Sequence, residues 1–560
     1  MQNNNEFITE NIFPVRIVCS NGKISDKEAL LNKKDLQITT NENEITTLSN
    51  FDSDENAYII LDFGKEYNGA IRILTYTTSG KQTPAIRITY GESVSEALSD
   101  VGYKNSTNDH TIRDFNFNLT SYSDMTFTES GLRFVKIELL DKNTEIRLKS
   151  VVLQSRLRKL TYEGSFKCND EIINKIYETS AYTCHLCMQQ YIWDGIKRDR
   201  LVWIGDMHPE MLTVRSVFGA NPIIPESLRF MRNQTPLPAW MNGMPTYSIW
   251  WLHILSDWYT YTGDDDFLNE NRDYAVSLIK IIIKLINDDG TDNLPEYFLD
   301  WPCNNKPQSV SGSRALLAMS LDSCAKLCEV FNELQLQKEC IQKKQFITST
   351  ELVSFGAKQV TAIAALASWT DPVESGKEVL QNGAAGWSTF MSYYLLKCGS
   401  YYNMADTLEA MKQYYGAMLR LGATTFWEDF DINWSADSFP INEIPDNIHK
   451  DVHGDFGKFC YSGLRHSLCH GWSSGPVAFL AEEVLGIKIL ENGCRKILLE
   501  PDPANLTFVQ GTYPTPFGNI EVKIEVKDNI IRITYSAPKA ISIITKEKFK
   551  EYNYEFYRIS

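Results

Sequence analysis

Between about residue 10 and residue 160 the chain alternates apolar and polar positions in short runs. Tyr58–Phe63, Ala70–Thr75, Ile86–Tyr90 and Phe134–Leu139 are rich in β-branched and aromatic residues, and turns of Gly, Asn, Asp and Ser separate them. A period of two broken by such turns predicts an antiparallel β-sandwich. Near residue 160 the period changes. In Glu171–Gln190, Ile172, Ile173, Ile176, Tyr177, Ala181, Cys184 and Met188 recur at helical spacing. The same spacing predicts helices over Pro209–Phe218, Pro225–Asn233, Tyr247–Thr262, Phe267–Asn287, Ser313–Leu334, Gln337–Thr350, Thr361–Ser368, Ala385–Lys397, Ala405–Leu421 and His466–Leu485. So many helices in one domain make a solenoid or a closed toroid of helical hairpins, and no solenoid-type sequence repeat is visible. From Cys494 strands return, over Arg495–Glu500, Gly518–Val526, Asn529–Ser536 and Ala540–Lys546. The expected plan is β, then all-α, then β, with domains at 1–160, 161–490 and 491–560.

Composition adds one strong asymmetry. Of 560 residues, 12 are Trp, and every one lies between Trp193 and Trp472. Large flat indoles gathered in the helical region point to an aromatic-lined pocket there, although Trp258 and Trp369, inside helical stretches, read as core. A net charge of −16 argues against nucleic acid or an anionic membrane as partner. No apolar run reaches the roughly 18 residues of a membrane span. The first ten residues are polar and acidic, without the pattern of a secretory signal, so a cytoplasmic location is expected; a chain trimmed of its leader reads the same. The 12 Cys follow no framework and read as reduced, mostly buried thiols.

The chemistry concentrates in Trp193-Asp194-Gly195-Ile196-Lys197-Arg198-Asp199-Arg200-Leu201-Val202-Trp203-Ile204-Gly205-Asp206. One reading makes it a solvated inter-helix loop with Asp206 as the N-cap of the next helix. The other notes that two Trp flank alternating acids and guanidiniums. Aromatic faces cover C–H patches, carboxylates accept from hydroxyl pairs, and Arg holds neighbouring carboxylates charged, which together suit a polyhydroxylated ring. The second reading is modestly favoured.

This segment resembles the signature of the α-L-rhamnosidases of glycoside hydrolase family 78. Asp194, Arg198, Trp203, Gly205 and Asp206 match it, but the family's general acid, a Glu directly after the Arg and four residues before the Trp, is Asp199 here. An Asp is one methylene shorter, so the loop has to advance to compensate; a shift of about 1 Å costs a large factor in rate. Gly422-Ala423-Thr424-Thr425-Phe426-Trp427-Glu428 resembles the family's second catalytic segment, whose Glu activates water. Phe298-Leu299-Asp300-Trp301-Pro302 resembles its Asp-Trp loop. His466-Ser467-Leu468-Cys469-His470-Gly471-Trp472 falls where the family places a sugar-contacting His, with His470 preferred and His466 a competitor. Asp62-Phe63-Gly64 and Gly511–Gly518 resemble its sandwich and C-terminal β-domains.

The resemblance implies a central (α/α)6 toroid flanked by an N-terminal antiparallel β-sandwich and a small C-terminal β-domain. It implies an inverting exo-α-L-rhamnosidase acting on a terminal α-L-rhamnose, with Asp199 as acid and Glu428 as base. Inverting carboxyls stand about 6.5–9.5 Å apart to admit the water. Asp194, Arg198, Asp206, Asp300 and His470 would bind the sugar. Trp203, Trp301, Trp427 and one of Trp250 or Trp251 would stack on it or wall it. An acid has to hold its proton, so Arg198 and Arg200 should not both contact Asp199. No cofactor is implied, and a homo-oligomer is left open. An unsaturated glucuronyl hydrolase, which would use Lys197, Arg198 or Arg200 to hold a uronate, and a non-catalytic glycan binder are the alternatives. The His449/His453 and His466/His470 pairs lack a third zinc ligand, Cys184–Cys187 reads as packing, and Asp264–Asp266 reads as a helix N-terminal acid run, so no metal site is assigned.

Overall fold

The computed structural model describes residues 6–304, 306–446, 448–548 and 552–559. The N-terminal region is a nine-stranded sheet in which every ladder is antiparallel. Its centre is one 22-residue strand, Tyr58–Ser79, paired with Ser123–Leu139 on one side and Glu145–Arg158 on the other. The two runs expected as separate strands are therefore continuous. Register shifts between Asp62 and Tyr67 and between Ala70 and Arg72 bend the strand, as bulges do, so it serves the whole domain. Ile59, Leu61, Phe63, Ile71 and Ile73 alternate into a core of their own, distinct from that of the helices.

The helices form a ring. Six inner helices, Met207–Val217, Pro245–Thr262, Pro307–Val330, Lys358–Leu366, Ser392–Tyr402 and the short Pro476–Phe479, each touch the next, and the last touches the first. Outer helices alternate with them in sequence: Glu171–Cys187, Ile223–Gln234, Asp265–Ile283, Leu334–Thr348, Pro372–Leu380 and Met404–Arg420. The burial pattern follows this order. Every residue of Met207–Val217 is buried, whereas Leu334–Thr348 buries only Leu336, Cys340 and Ile347. Asp264 caps Asp265–Ile283 by accepting from Phe267 N–H at 2.9 Å, as the acid run implied.

Two helical expectations need correction. Pro372–Leu380 was not anticipated; it is nine residues long and contains Gly376. The helix expected over His466–Leu485 is absent in its first half, where His470 is extended at φ −137°, ψ 125°. Its backbone bonds run elsewhere: His470 N–H donates to Phe426 C=O at 3.0 Å and Gly471 N–H to Asp194 C=O at 2.7 Å. Gly471, Gly475 and Pro476 also disfavour an uninterrupted helix.

The C-terminal region has two small sheets. Phe508–Thr515, Gly518–Lys527, Ile530–Ser536 and Asn553–Arg558 form one, and its first strand is Ser165–Cys168, from just before the ring. Ile487–Glu491, Lys496–Leu499 and Ser542–Thr545 form the other. These sheets share the hydrophobic core of the ring.

Candidate active site

In a ring of antiparallel hairpins, all connections from an outer to the next inner helix emerge at one end. Here those are the long ones, including 188–206, 284–306, 381–391 and 421–475, while the reverse connections at 263–264, 331–333 and 403 are short. The carboxylates, the arginine and the imidazoles singled out in the sequence all lie on these long connections. The 188–206 segment is not a solvated loop: Asp194, Arg198 and Asp206 are each 2% exposed. Asp206 precedes Met207–Val217 but makes no side-chain cap. Its Oδ1 instead accepts from Tyr247 O–H at 3.2 Å. Gly205 permits this approach, since a Cβ there would lie 2.4 Å from the Tyr247 ring.

Arg198 is the hub. Its Nη1 donates to Asp199 Oδ1 at 2.8 Å, its Nη2 to Glu428 Oε1, and its Nε to the Arg465 carbonyl at 3.1 Å. The ring of Tyr461 lies 3.7 Å from the guanidinium carbon. Arg200 turns away, pairing with Glu129 at 2.8 Å and stacking on Trp193. Only one of the two guanidiniums therefore contacts Asp199. Lys197 also turns inward, to Glu92 at 2.9 Å, Glu96 at 3.2 Å and the His466 carbonyl at 2.7 Å. It ties the β-domain to the floor of the site.

Glu428 is buried and accepts hydrogen bonds on both oxygens. Beyond Arg198 it accepts from Cys460 Sγ at 2.7 Å on Oε1 and from Ser467 N–H at 3.0 Å on Oε2. Burial pushes its carboxyl up, but the Arg198 guanidinium prevails and holds it well below the usual carboxylate range. Burial and Glu428 keep the Cys460 thiol protonated, so it donates. The other acids behave in the opposite way. Burial, with Asp206 and Asp199 nearby, drives Asp194 well above its ordinary value, and burial does the same to Asp206. Burial pushes Asp300 up to about 7 and Asp429 up to about 6. Asp300 accepts from Ser388 O–H and from Trp301 N–H at 2.8 Å.

Of the two histidines, His470 faces Asp194 and Asp206: its Nε2 is 3.6 Å from Asp194 Oδ2 and 3.9 Å from Asp206 Oδ2. Burial lowers it to about 3, so the ring is neutral. His466 accepts from Asp429 N–H at 3.0 Å and has a structural role there. Trp203 and Trp301 are half-buried on the long connections, edge-on to Tyr247 and Phe298. The indole N–H groups of Trp203 and Trp427 and the Nδ1 of His470 are buried without a hydrogen-bond partner among the described residues. Trp250 and Trp251 do not belong to the site. Trp250 packs on His208 and Tyr394 inside the ring, and Trp251 is 0% exposed with its N–H on the Leu228 carbonyl at 3.2 Å. Both faces of Pro245–Thr262 are packed, which removes them as sugar-stacking candidates.

Three contributors escaped the sequence reading. Cys460 lies in a Gly- and Lys-rich stretch with no motif. Glu210 sits one turn into Met207–Val217, driven well above its ordinary value by burial and by Cys187, and its Oε1, against Gly471, has no hydrogen-bond partner among the described residues. The "Asp-Met-His-Pro-Glu" continuation after Gly205 was the available signal. His110 comes from the β-domain and meets Asp199 at 2.9 Å.

The class that the fold defines is a ring of six helical hairpins, here with paired carboxylates at one end. Residues 161–339 match the model of the bacterial alpha-L-rhamnosidase 6 hairpin glycosidase domain, and residues 486–543 that of the bacterial alpha-L-rhamnosidase C-terminal domain. Residues 161–339 and 486–543 are thus similar to the six-hairpin and C-terminal domains of bacterial α-L-rhamnosidases. An alpha-L-rhamnosidase of Formosa agariphila is 20% identical over 474 residues, covering 74% of this chain and 46% of that protein. The chain therefore spans about half the length of this curated relative. Among solved structures, the GH78 family rhamnosidase of Bacillus sp. GL1 superposes with a TM-score of 0.76 at 20% identity, covering 95% of this chain and 57% of that one. The rhamnosidase of Klebsiella oxytoca, with rhamnose bound, gives 0.66 at 18% identity, covering 85% and 95%. These likenesses establish the fold.

Proposed function

We propose that the chain is a glycoside hydrolase that removes terminal α-L-rhamnose by inversion, with Glu428 as base and Asp199 as acid. The observation that carries the proposal is the convergence of these two carboxylates, one from each catalytic segment, on the single buried guanidinium of Arg198. Glu428, held ionised by Arg198, is ready to take a proton from the attacking water. Asp194, Asp206, Asp300 and His470 present acceptors and a neutral ring to sugar hydroxyls, and Trp203 and Trp301 supply apolar faces for C–H groups and the 6-deoxy methyl.

A uronate reader would need free cations, and Lys197, Arg198 and Arg200 are all committed to internal carboxylates. The test is hydrolysis of an aryl α-L-rhamnoside. Turnover is expected in the parent and a loss of about 10²–10⁴-fold in kcat with Glu428→Gln. Absence of turnover in the parent, with the sugar still bound, makes the chain a binder instead.

A further inference from the structure

His208, in the Asp-Met-His-Pro-Glu run, takes no part in the candidate active site. Its ring is 2% exposed and stacks on Trp250 and Tyr394 inside the ring of helices. Its Nε2 lies 3.2 Å from Asp257 Oδ2. On the facing helix, Pro245–Thr262, His253 stands one turn before Asp257, with its Nε2 3.8 Å from the same oxygen. One donor atom from each of the three residues lies within 4.8 Å of the other two. Two ligands of one tetrahedral ion, each about 2.0–2.2 Å from it, stand roughly 3.3–3.5 Å apart. The two measured contacts fall on either side of that spacing. A proton serves the arrangement less well: it bridges His208 and Asp257, but at 3.8 Å His253 is beyond hydrogen-bond reach of the carboxylate.

The other ring nitrogens are already engaged. His208 Nδ1 is 2.7 Å from the Tyr394 hydroxyl, and His253 Nδ1 is 2.8 Å from Ser323 Oγ. A hydroxyl accepts as well as donates, so each Nδ1 can carry its ring's proton and donate it outward. Both Nε2 lone pairs then face Asp257, the orientation that a second hydrogen bond imposes on metal-binding imidazoles. Burial lowers both imidazoles, His253 to about 3, so the rings are neutral, as ligands have to be. The nearby cations are balanced. Arg215 and Lys397 pair with Glu482 at 2.6 and 2.8 Å, Lys397 lies 3.9 Å from Glu483, and Lys326 is exposed. Asp257, 28% exposed in its side chain, opens onto a cavity of about 330 Å³. Arg215 and Thr260, in the last turns of their inner helices, also line it, so access is from the end of the ring away from the long connections.

We infer that His208, His253 and Asp257 form a binding site for a divalent transition-metal ion of the Zn²⁺ type, with water completing its coordination. Two imidazoles and one carboxylate suit such an ion, whereas Ca²⁺ and Mg²⁺ take oxygen donors. The ion ties together the two inner helices at whose starts stand Asp206 and its hydrogen-bond donor Tyr247. It thus braces the candidate active site without lining it, and its role is structural.

The experiment strips the protein with a chelator and titrates it with Co²⁺, whose visible d–d bands report its coordination, then with Zn²⁺ as competitor. The parent is expected to bind one equivalent of Co²⁺ with such bands and to lose them to Zn²⁺. Asp257→Asn and His253→Gln are expected to abolish the bands, and His449→Gln, at an exposed histidine on the surface, to keep them. A ligand variant can also fail to fold, so Ser323→Ala supplies a second reading. It keeps all three ligands, removes only the hydroxyl on His253 Nδ1, and is expected to weaken Co²⁺ binding by about 10–100-fold. No stoichiometric Co²⁺ in the folded parent, bands that survive Asp257→Asn, or a Ser323→Ala affinity equal to the parent's each overturn the site. None of these readouts uses turnover, so the result is separate from that of the rhamnoside assay.

Discussion

Removing Arg198 tests how the site is held together. The side chain is 2% exposed and makes four contacts: Asp199, Glu428, the Arg465 carbonyl and the face of Tyr461. Its chief partner, Glu428, is also 2% exposed. Taking one partner from a buried ion pair leaves an uncompensated charge and costs about 3–5 kcal/mol. Arg198→Met should therefore destabilise the ring by that amount. Glu428→Gln alone leaves the guanidinium with Asp199 and should cost less. The double variant removes both charges, so the cycle should return a coupling energy of about 3 kcal/mol. Unfolding of a chain with several domains is not one transition, which calls for a probe of the ring alone. Trp fluorescence is that probe, because all 12 Trp lie between Trp193 and Trp472. The pH dependence adds a sign. A carboxyl held low in the folded state adds stability above its ordinary titration range and gives it up only as pH falls through the lowered value. The parent should keep the Glu428 contribution into acid, and Arg198→Met should lose it at neutral pH. Additivity of the single variants within about 0.5 kcal/mol would refute the bridge.

Further outcomes follow from the neighbours. Asp300 holds its proton up to about 7 in the folded state, whereas an unfolded Asp releases it near pH 4. The folded form binds more protons across that interval, so this group's contribution falls as pH rises through it. Asp300→Asn should consequently gain stability relative to the parent between pH 5 and about 7.5, read as a Trp-fluorescence midpoint; a gap that does not change with pH contradicts the burial of an acid there. Gly471→Ala places a Cβ 1.6 Å from Glu210 Oε1, so the Ala variant should lower both the midpoint and turnover, and an unchanged variant means the Glu210 side chain moves freely. Lys197→Met should weaken the seam between β-domain and ring, because Glu92 and Glu96 lose their buried partner; limited proteolysis should then release the N-terminal sheet sooner.

The order of the β, helical and β regions and the two motif-bearing segments could be read directly from the chain, because each depends on local signals: a change of period near residue 160 and residues packed into short motifs. Long-range features were harder to read. The segment before Pro476 has apolar spacing like a helix, yet its backbone bonds are drawn to Phe426 and Asp194, partners that a sequence window does not contain. Trp250 and Trp251 carried the same residue type as the pocket aromatics, and only packing on both faces of their helix separates core from wall. His110 lies 89 positions before Asp199 in another domain, inside an unremarkable polar loop. Nothing local marks it, and its approach to Asp199 exists only in the folded chain.

The central claim is that Asp199 and Glu428 act as an acid and a base across a gap that admits water. Following the anomeric proton during hydrolysis of an aryl α-L-rhamnoside tests it most directly. β-L-rhamnose is expected as the first-formed product, mutarotating later to the mixture. First-formed α-L-rhamnose would contradict the account, since it requires Glu428 or Asp199 to act as a nucleophile.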